Sequence, residues 1–431
     1  MLRCLSWIAV GAVLAVATVY GQEPAASQPS ASSYTLAVVD DETLIRLVEA
    51  ALRTHPQILA AEAELAREEA LARAASRPLF NPEIELEVES SDADDKIVRF
   101  TQTLDLAGRR SARARVADGH VGESAERIAL ARRDLAVEVL AALGAYWTAR
   151  DAADLADQRL ELLDRVAQVA EQRARIGDAT QADLNLASLA RVQARMARAG
   201  AAADLAGAEQ ALAALVPGGF AGDWPPLPTA LPDVDPGRAD LGQLTARVPE
   251  VALQRRAVDV AAAEVGLRQR ERRAAPSVSL LGGEEDNESM IGLGFSMPLN
   301  VRNRFTSEVA AARAEQQRAE REVDNITLRA LAAARTATAR YRLIRDAWTA
   351  WLETGELNLM QQAELLERLW RAGELSLTDY LVQMNQTLET QRSAVELRRQ
   401  LWDAWFSWLA ATGQTGAWLG LPIEVARSSD R

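Results

Sequence analysis

The feature that most constrains this chain is an internal repetition. RIGDATQADLN, residues 175–185, and RAGELSLTDYL, residues 371–381, both open with Arg, one residue, Gly and an acid, and both place an Asp six residues after the Gly. Other correspondences keep nearly the same spacing. His55-Pro56 matches Val248-Pro249 at an offset of 193, and Pro82 matches Pro276 at 194. Phe100, Leu104 and Asp105 match Phe295, Leu299 and Asn300 at 195, and Gly177 and Asp183 match Gly373 and Asp379 at 196. An offset held this steadily means two copies of one unit, residues 42–216 and 240–413. The segment between them, 217–239, is too rich in Pro and Gly for regular structure.

Each unit has the same plan. A helix comes first, over 42–76 and 240–273, then a hairpin, 82–105 and 276–300. A long helix follows over 109–176 and 304–372. The Gly motif breaks the chain, and a return helix runs over 181–215 and 376–411. No Pro interrupts either long helix, so at ~1.5 Å per residue each spans roughly 100 Å. Apolar residues recur at three- and four-residue steps, as in Val139, Leu143, Tyr146 and Leu162, Val166, Val169. Long, Ala-rich helices charged on their other faces point to packed coiled coils.

The hairpins alternate with period two. Ile84, Leu86 and Val88 alternate with Glu83, Glu85, Glu87 and Glu89; Val98, Phe100 and Leu104 share one parity, broken by Gln102. Val278 and Leu280, then Ile291, Leu293, Phe295 and Met297, repeat the pattern. These are strands with one apolar face and acidic turns, SDADD and EEDNES, which are most simply solvated loops. Their length suits tilted strands crossing an outer membrane. Four strands cannot close a barrel, and an open edge in lipid leaves backbone groups unpaired. A membrane reading therefore requires oligomers, and three chains supply twelve strands. The fold class expected is mainly α with a small membrane β part: a duplicated coiled-coil tunnel plus four strands per chain in a 12-stranded trimeric β-barrel.

Residues 1–21 read as a secretory leader, with Arg3 before an apolar run from Leu5 to Val19. Residues 22–41 read as a flexible segment and 414–431 as a tail. The sole cysteine, Cys4, leaves with the leader, so the mature chain has no disulfide or thiolate ligand. Loss of Arg3 takes the net charge from −13 to −14, which argues against a nucleic-acid partner. His55 and His120 stand alone, without a second ligand or a nucleophile motif, and there is no phosphate loop. No enzyme activity, cofactor or bound metal is expected. Trp402, Trp405, Phe406 and Trp408 fall largely on one side of the last long helix, a packing cluster rather than a ligand site.

The duplicated plan, together with NPEIELEVE and FTQTLDLAGRRSAR, resembles the TolC-like outer-membrane factors, closest to the outer-membrane component of cobalt–zinc–cadmium-type cation efflux. The resemblance covers nearly the whole mature chain. It implies a homotrimeric passive duct in the outer membrane, contacting its lipid and extending into the periplasm. A periplasmic adaptor (a membrane fusion protein) and an inner-membrane pump of the RND type would be its partners. Arg175, Gly177, Arg371 and Gly373 match the family's adaptor-docking turns, and Asp379, with Asp183 in the other copy, falls at the channel entrance. Val382 departs from the pattern, standing where many members carry a second Asp. If the apolar strand face meets lipid, Glu83, Glu85, Glu87 and Glu89 line the lumen, offset by Lys96 and Arg99, and favour cations. The plainer account of the Asp pair is a helix-dipole role in two ordinary turns, and of the Glu ladder, simple hydration. The rival function is a periplasmic coiled-coil scaffold whose hairpins pair with another protein. Within the family, drug efflux and type I secretion use the same duct.

Overall fold

The computed structural model describes residues 36, 38–90, 94–228, 239–285 and 288–423; the expected leader lies outside them. Asp41 starts helix α1 (Glu42–Thr54), its carboxylate accepting from the Thr43 and Leu44 amides at 2.9 and 3.1 Å. The expected helix over 42–76 is in fact two. The residue before a Pro is driven to extended backbone, and His55 (ψ 129°) ends α1 before Pro56 opens α2 (Pro56–Ala75). The second copy breaks at the matching place: α5 (Leu241–Thr245) stops short of Val248 (ψ 146°), and α6 (Pro249–Glu271) follows. Strands β1 (Glu83–Ser90) and β2 (Asp94–Thr103) precede α3 (Arg109–Arg175), which is unbroken for 67 residues, and α4 (Gln181–Leu215).

The second half carries the same order of elements: β3 (Ser277–Glu285), β4 (Glu288–Ser296), α7 (Thr306–Ala350), α8 (Glu356–Ala372) and α9 (Leu377–Thr412). Here the expected continuous helix over 304–372 is corrected. A π-helical turn, Trp351–Gly355, separates α7 from α8. The repeat offset explains it. Between the hairpin and the Gly motif the offset rises from 195 to 196, so the second copy's long helix holds one residue more. A π turn absorbs a single extra residue without ending a helix.

Packing runs in one direction around the molecule. Beside the sheet, α2 lies on α3, α3 on α6, and α6 on α7; farther along, α4 lies on α3, α3 on α9, and α9 on α7 and α8. The strand order is β1-β2-β3-β4, all antiparallel. One flank of the chain is therefore α2, β1 and α4, all from the first copy, and the other is α7, β4 and α8, all from the second. Both flanks expose apolar side chains at helical spacing, Leu189, Val192 and Met196 on α4 and Leu357, Met360 and Leu365 on α8.

Two cores hold the helices. Beside the linker end of α9, Trp405 stacks on Trp408 (centroids 5.1 Å apart) and meets Tyr341 of α7 and Trp418 of α10 (Thr415–Leu419). Trp405, Phe406 and Trp408 are buried, as a packing cluster should be. The described parts of the segments 22–41 and 414–431 meet each other. Val39 N donates to Trp418 O at 2.8 Å, and Leu36, Val39 and Trp418 are buried. Between α3 and α6, buried Arg133 reaches Glu250 and Asp134, both at 2.6 Å. Burial disfavours its charge, but the Glu250 and Asp134 carboxylates together outweigh that and raise its pKa.

Candidate functional site

The sheet sorts its side chains by face. Directly opposed residues share a face, and one row reads Ile84, Phe100, Leu280, Leu293. The next reads Leu86, Val98, Gly282, Ile291. This apolar face is bare: Ile291 and Leu293 are 82% and 83% exposed. The opposite face carries Glu83, Glu85 and Glu87 on β1, then Thr101, Arg99 and Ile97 on β2, and Ser279, Leu281 and Gly283 on β3. Arg99 donates to Glu85 at 3.1 Å. The side chain of Glu89 and the tips of both acidic turns lie outside the described residues. Lys96 does not join the ladder. It pairs across from Val88 and Glu284, at the end of an apolar-face row, because its parity is that of Val98 and Phe100. Edges β1 and β4 have no partner among the described residues.

The far ends of the helices form two matching tips. In the first, Gly177 (φ 81°) closes α3, and the Asp178 amide reaches back to Arg173 O at 2.8 Å. In the second, Gly373 (φ 77°) closes α8, and the Glu374 amide reaches Leu369 O at 3.0 Å. These are left-handed positions that glycine takes without strain, and both chain reversals satisfy orphan carbonyls the same way. Thr180 and Ser376 then cap α4 and α9, accepting from the amides of Asp183 and Asp379 at 3.2 and 3.1 Å. Each hydroxyl also donates to the same Asp, at 2.7 Å in both tips. At the first tip the Thr180 amide adds a bond to Asp183, completing a capping box. The Thr180 hydroxyl and amide hold the Asp183 carboxyl below the ordinary carboxylate value. Both entrance candidates are thus first-turn caps, and Asp379 is exposed. Arg175 and Arg371 are exposed on the last turns, Arg371 paired with Glu367.

The tips are brought side by side by residues that sequence reading passed over. Arg173 donates to Arg371 O at 3.3 Å, and its guanidinium lies 5.7 Å from the Trp370 ring centre. Trp370 stacks on Tyr380 at 4.8 Å. Burial pushes the Tyr380 hydroxyl up to about 12. Leu163, Val166, Leu366, Leu381 and Met384 complete a core shared by α3, α8 and α9. A tryptophan one turn before Gly373 and a tyrosine one residue after Asp379 were the available signals. The histidines serve locally: His55 Nδ1 accepts from the Gln57 amide at 3.3 Å, and His120 lies 3.3 Å from Glu123. No metal-holding group of His, Cys, Asp and Glu occurs among the described residues. No helix among them is long and apolar enough to cross a membrane.

The sheet, with one bare apolar face, lies at one end of the long helices, and the paired turns lie at the other. Residues 47–218, the first copy, match the family model described as Outer membrane efflux protein. The chain superposes on CmeC, an outer membrane channel of Campylobacter jejuni, with TM-score 0.74, 14% identity, and 87% of this chain and 86% of that one covered. CusC, whose structures concern transmembrane channel formation, gives TM-score 0.73, 17% identity, and 91% and 98% coverage. The outer-membrane channel OprN gives TM-score 0.73, 18% identity, and 87% and 91% coverage. At these identities the likeness establishes the fold, and the fold is the one expected from the repeat. No curated protein sequence matches the chain.

Proposed function

We propose that this protein is the outer-membrane duct of a tripartite efflux system, a passive homotrimer that exports metal cations without changing them covalently. The carrying observation is that, among the described residues, α2, β1 and α4 form one edge of the packing order and α7, β4 and α8 the other. Unlike flanks join head to tail, and such joins close into rings. Closing three copies pairs every β1 with a neighbouring β4 and seals twelve strands against hydrocarbon. In the periplasmic scaffold reading the exposed Ile291, Leu293 and Phe295 face needs a covering partner protein, whereas in the duct it meets lipid.

In this reading Glu83, Glu85, Glu87 and Glu89 face the lumen and concentrate cations there. Arg175, Gly177, Arg371 and Gly373 form the surface for a periplasmic adaptor, which links the duct to an inner-membrane pump of the RND type. Asp379 and Asp183 surround the narrow entrance. Planar-bilayer recording tests these roles together. The wild-type trimer is expected to form pores with cation-selective reversal potentials in a salt gradient. Replacing Glu83, Glu85 and Glu87 by Gln should shift those potentials toward zero, and Asp379→Ala should alter conductance or block by divalent cations. Absence of pores, or anion preference, would remove the reading.

A further inference from the structure

A chain of net charge −13 gathers unopposed arginines at one place, where the sheet meets the helices. Many guanidiniums in this region have structural work. Arg113 donates to Ala74 O and Ala75 O at the end of α2, at 3.3 and 3.4 Å. Arg109 donates to Glu271 O at 3.2 Å, and Arg270 to Ala107 O at 3.0 Å. They satisfy carbonyls that helix ends and loops leave open. A second group is different. Arg272, Arg273, Arg304 and Arg313, with Gln269 and Asn300, line a cavity of about 590 Å³. No carboxylate lines it, and none of the four forms an ion pair among the described residues. The walls are fixed: Asn300 donates to Arg272 O at 2.8 Å, and Arg272 Nε donates to Arg304 O at 3.0 Å. Phe305 beside them is held at φ 52° with its amide on Asn303 Oδ1 at 2.9 Å, a backbone a non-Gly residue adopts only under constraint.

Exposed apolar residues lie close in the chain to those that line this positive cavity. Exposed apolar side chains follow both strands, Met297, Leu299 and Val301 after β4 and Leu104 and Leu106 after β2. Leu106 and Val301 are 75% and 74% exposed. The arginines begin directly after these residues in the chain, at Arg302 and Arg304, and at Arg109. A ligand suited to both features carries a phosphate on an acyl body. We infer that the Arg272–Arg273–Arg304–Arg313 cavity is a binding site for the phosphate headgroup of an anionic membrane lipid, anchoring the duct at the helix side of the membrane. Guanidinium forks match phosphate oxygens in pairs, and the exposed leucines and valine meet the chains. The inference rests on the barrel reading, because only a membrane-facing sheet brings this junction to a lipid surface.

The test uses the purified trimer in vesicles of equal zwitterionic phosphatidylcholine and anionic phosphatidylglycerol. Native mass spectrometry then counts the lipids retained on release. Wild type should keep phosphatidylglycerol in preference. A combined Arg272→Gln, Arg273→Gln, Arg304→Gln variant should lose at least about tenfold of that preference, since each Arg near an anionic surface contributes a factor of several. The matching Lys variant, which keeps charge, should retain much of it. Equal preference in wild type and the Gln variant would overturn the inference. So would unchanged lipid binding with loss of trimers, which would assign the arginines to the neighbouring copy. Binding of inorganic phosphate with no preference for phosphatidylglycerol over phosphatidylcholine would overturn the lipid assignment too. Wild-type protein that washes off the vesicles would instead sink the barrel reading, before any lipid is counted.

Discussion

The two hairpin tips share a backbone and differ in what fills them. Equivalent positions are Ala174 and Trp370, Leu184 and Tyr380, and Ser188 and Met384, each 196 residues apart. The first tip closes on small residues, Ala167, Ala170 and Ala187, which let α3 and α4 approach closely. The second closes on a stacked Trp370–Tyr380 pair with Leu381, Met384 and Leu388. Above the first, α3 is α-helical throughout; above the second, the π turn Trp351–Gly355 interrupts the α-helix. Duplication kept the turn chemistry, Gly at the reversal and a hydroxyl cap after it, while the interiors diverged.

Truncation breaks this comparison most directly. Trp370→Ala should cost about 3–5 kcal/mol, the usual range for a buried aromatic, whereas Leu184→Ala, only partly buried at the matching place of Tyr380, should cost less than about 2 kcal/mol. Denaturant unfolding of the trimer, with hydrogen exchange localising the loss to each tip, checks the difference. Gly355→Ala comes next. Its new Cβ would lie 2.3 Å from the Trp351 ring, so the turn must deform. A cost of about 1–3 kcal/mol follows from overpacking, read as a lower melting temperature and faster exchange in α8.

Smaller effects sharpen the likeness of the two turns. Thr180→Ala and Ser376→Ala should each cost about 1 kcal/mol, the value of an N-cap. The loss at Thr180 should be the smaller, since its backbone amide keeps its own bond to Asp183 after the hydroxyl is removed. Amide exchange in the first turns of α4 and α9 measures both. Acid gives the smallest effect. Asp183 has its folded pKa below the ordinary 3.8, so its capping contribution is complete above 3.8 and is lost as pH falls through the lower folded value. The first turn of α4 should therefore fray only in that acidic window, and Asp183→Asn should remove the pH dependence.

Much of this fold was legible because the repeat supplied two readings of each element. The strands, α3, α4 and the turn glycines follow from period, parity and the absence of Pro in the long helices. The breaks at Pro56 and Pro249 were missed, because helical periodicity on both sides concealed the clash of Pro with the residue before it. The π turn was hidden in a one-residue change of offset. Lys96 illustrates another limit: charge alone placed it with the Glu ladder, while strand parity put it on the other face. The contact between tips through Arg173 and Trp370 was not legible, because residues 197 apart meet only after both hairpins fold.

The central claim is that unlike flanks of one chain join those of the next and close after three copies. The mass of the detergent-solubilised mature protein, taken by native mass spectrometry across a range of concentrations, tests it most directly. The expected result is three chains per particle, unchanged on dilution and with no higher ladder. A monomer stable without detergent, or an open-ended series of oligomers, would contradict it.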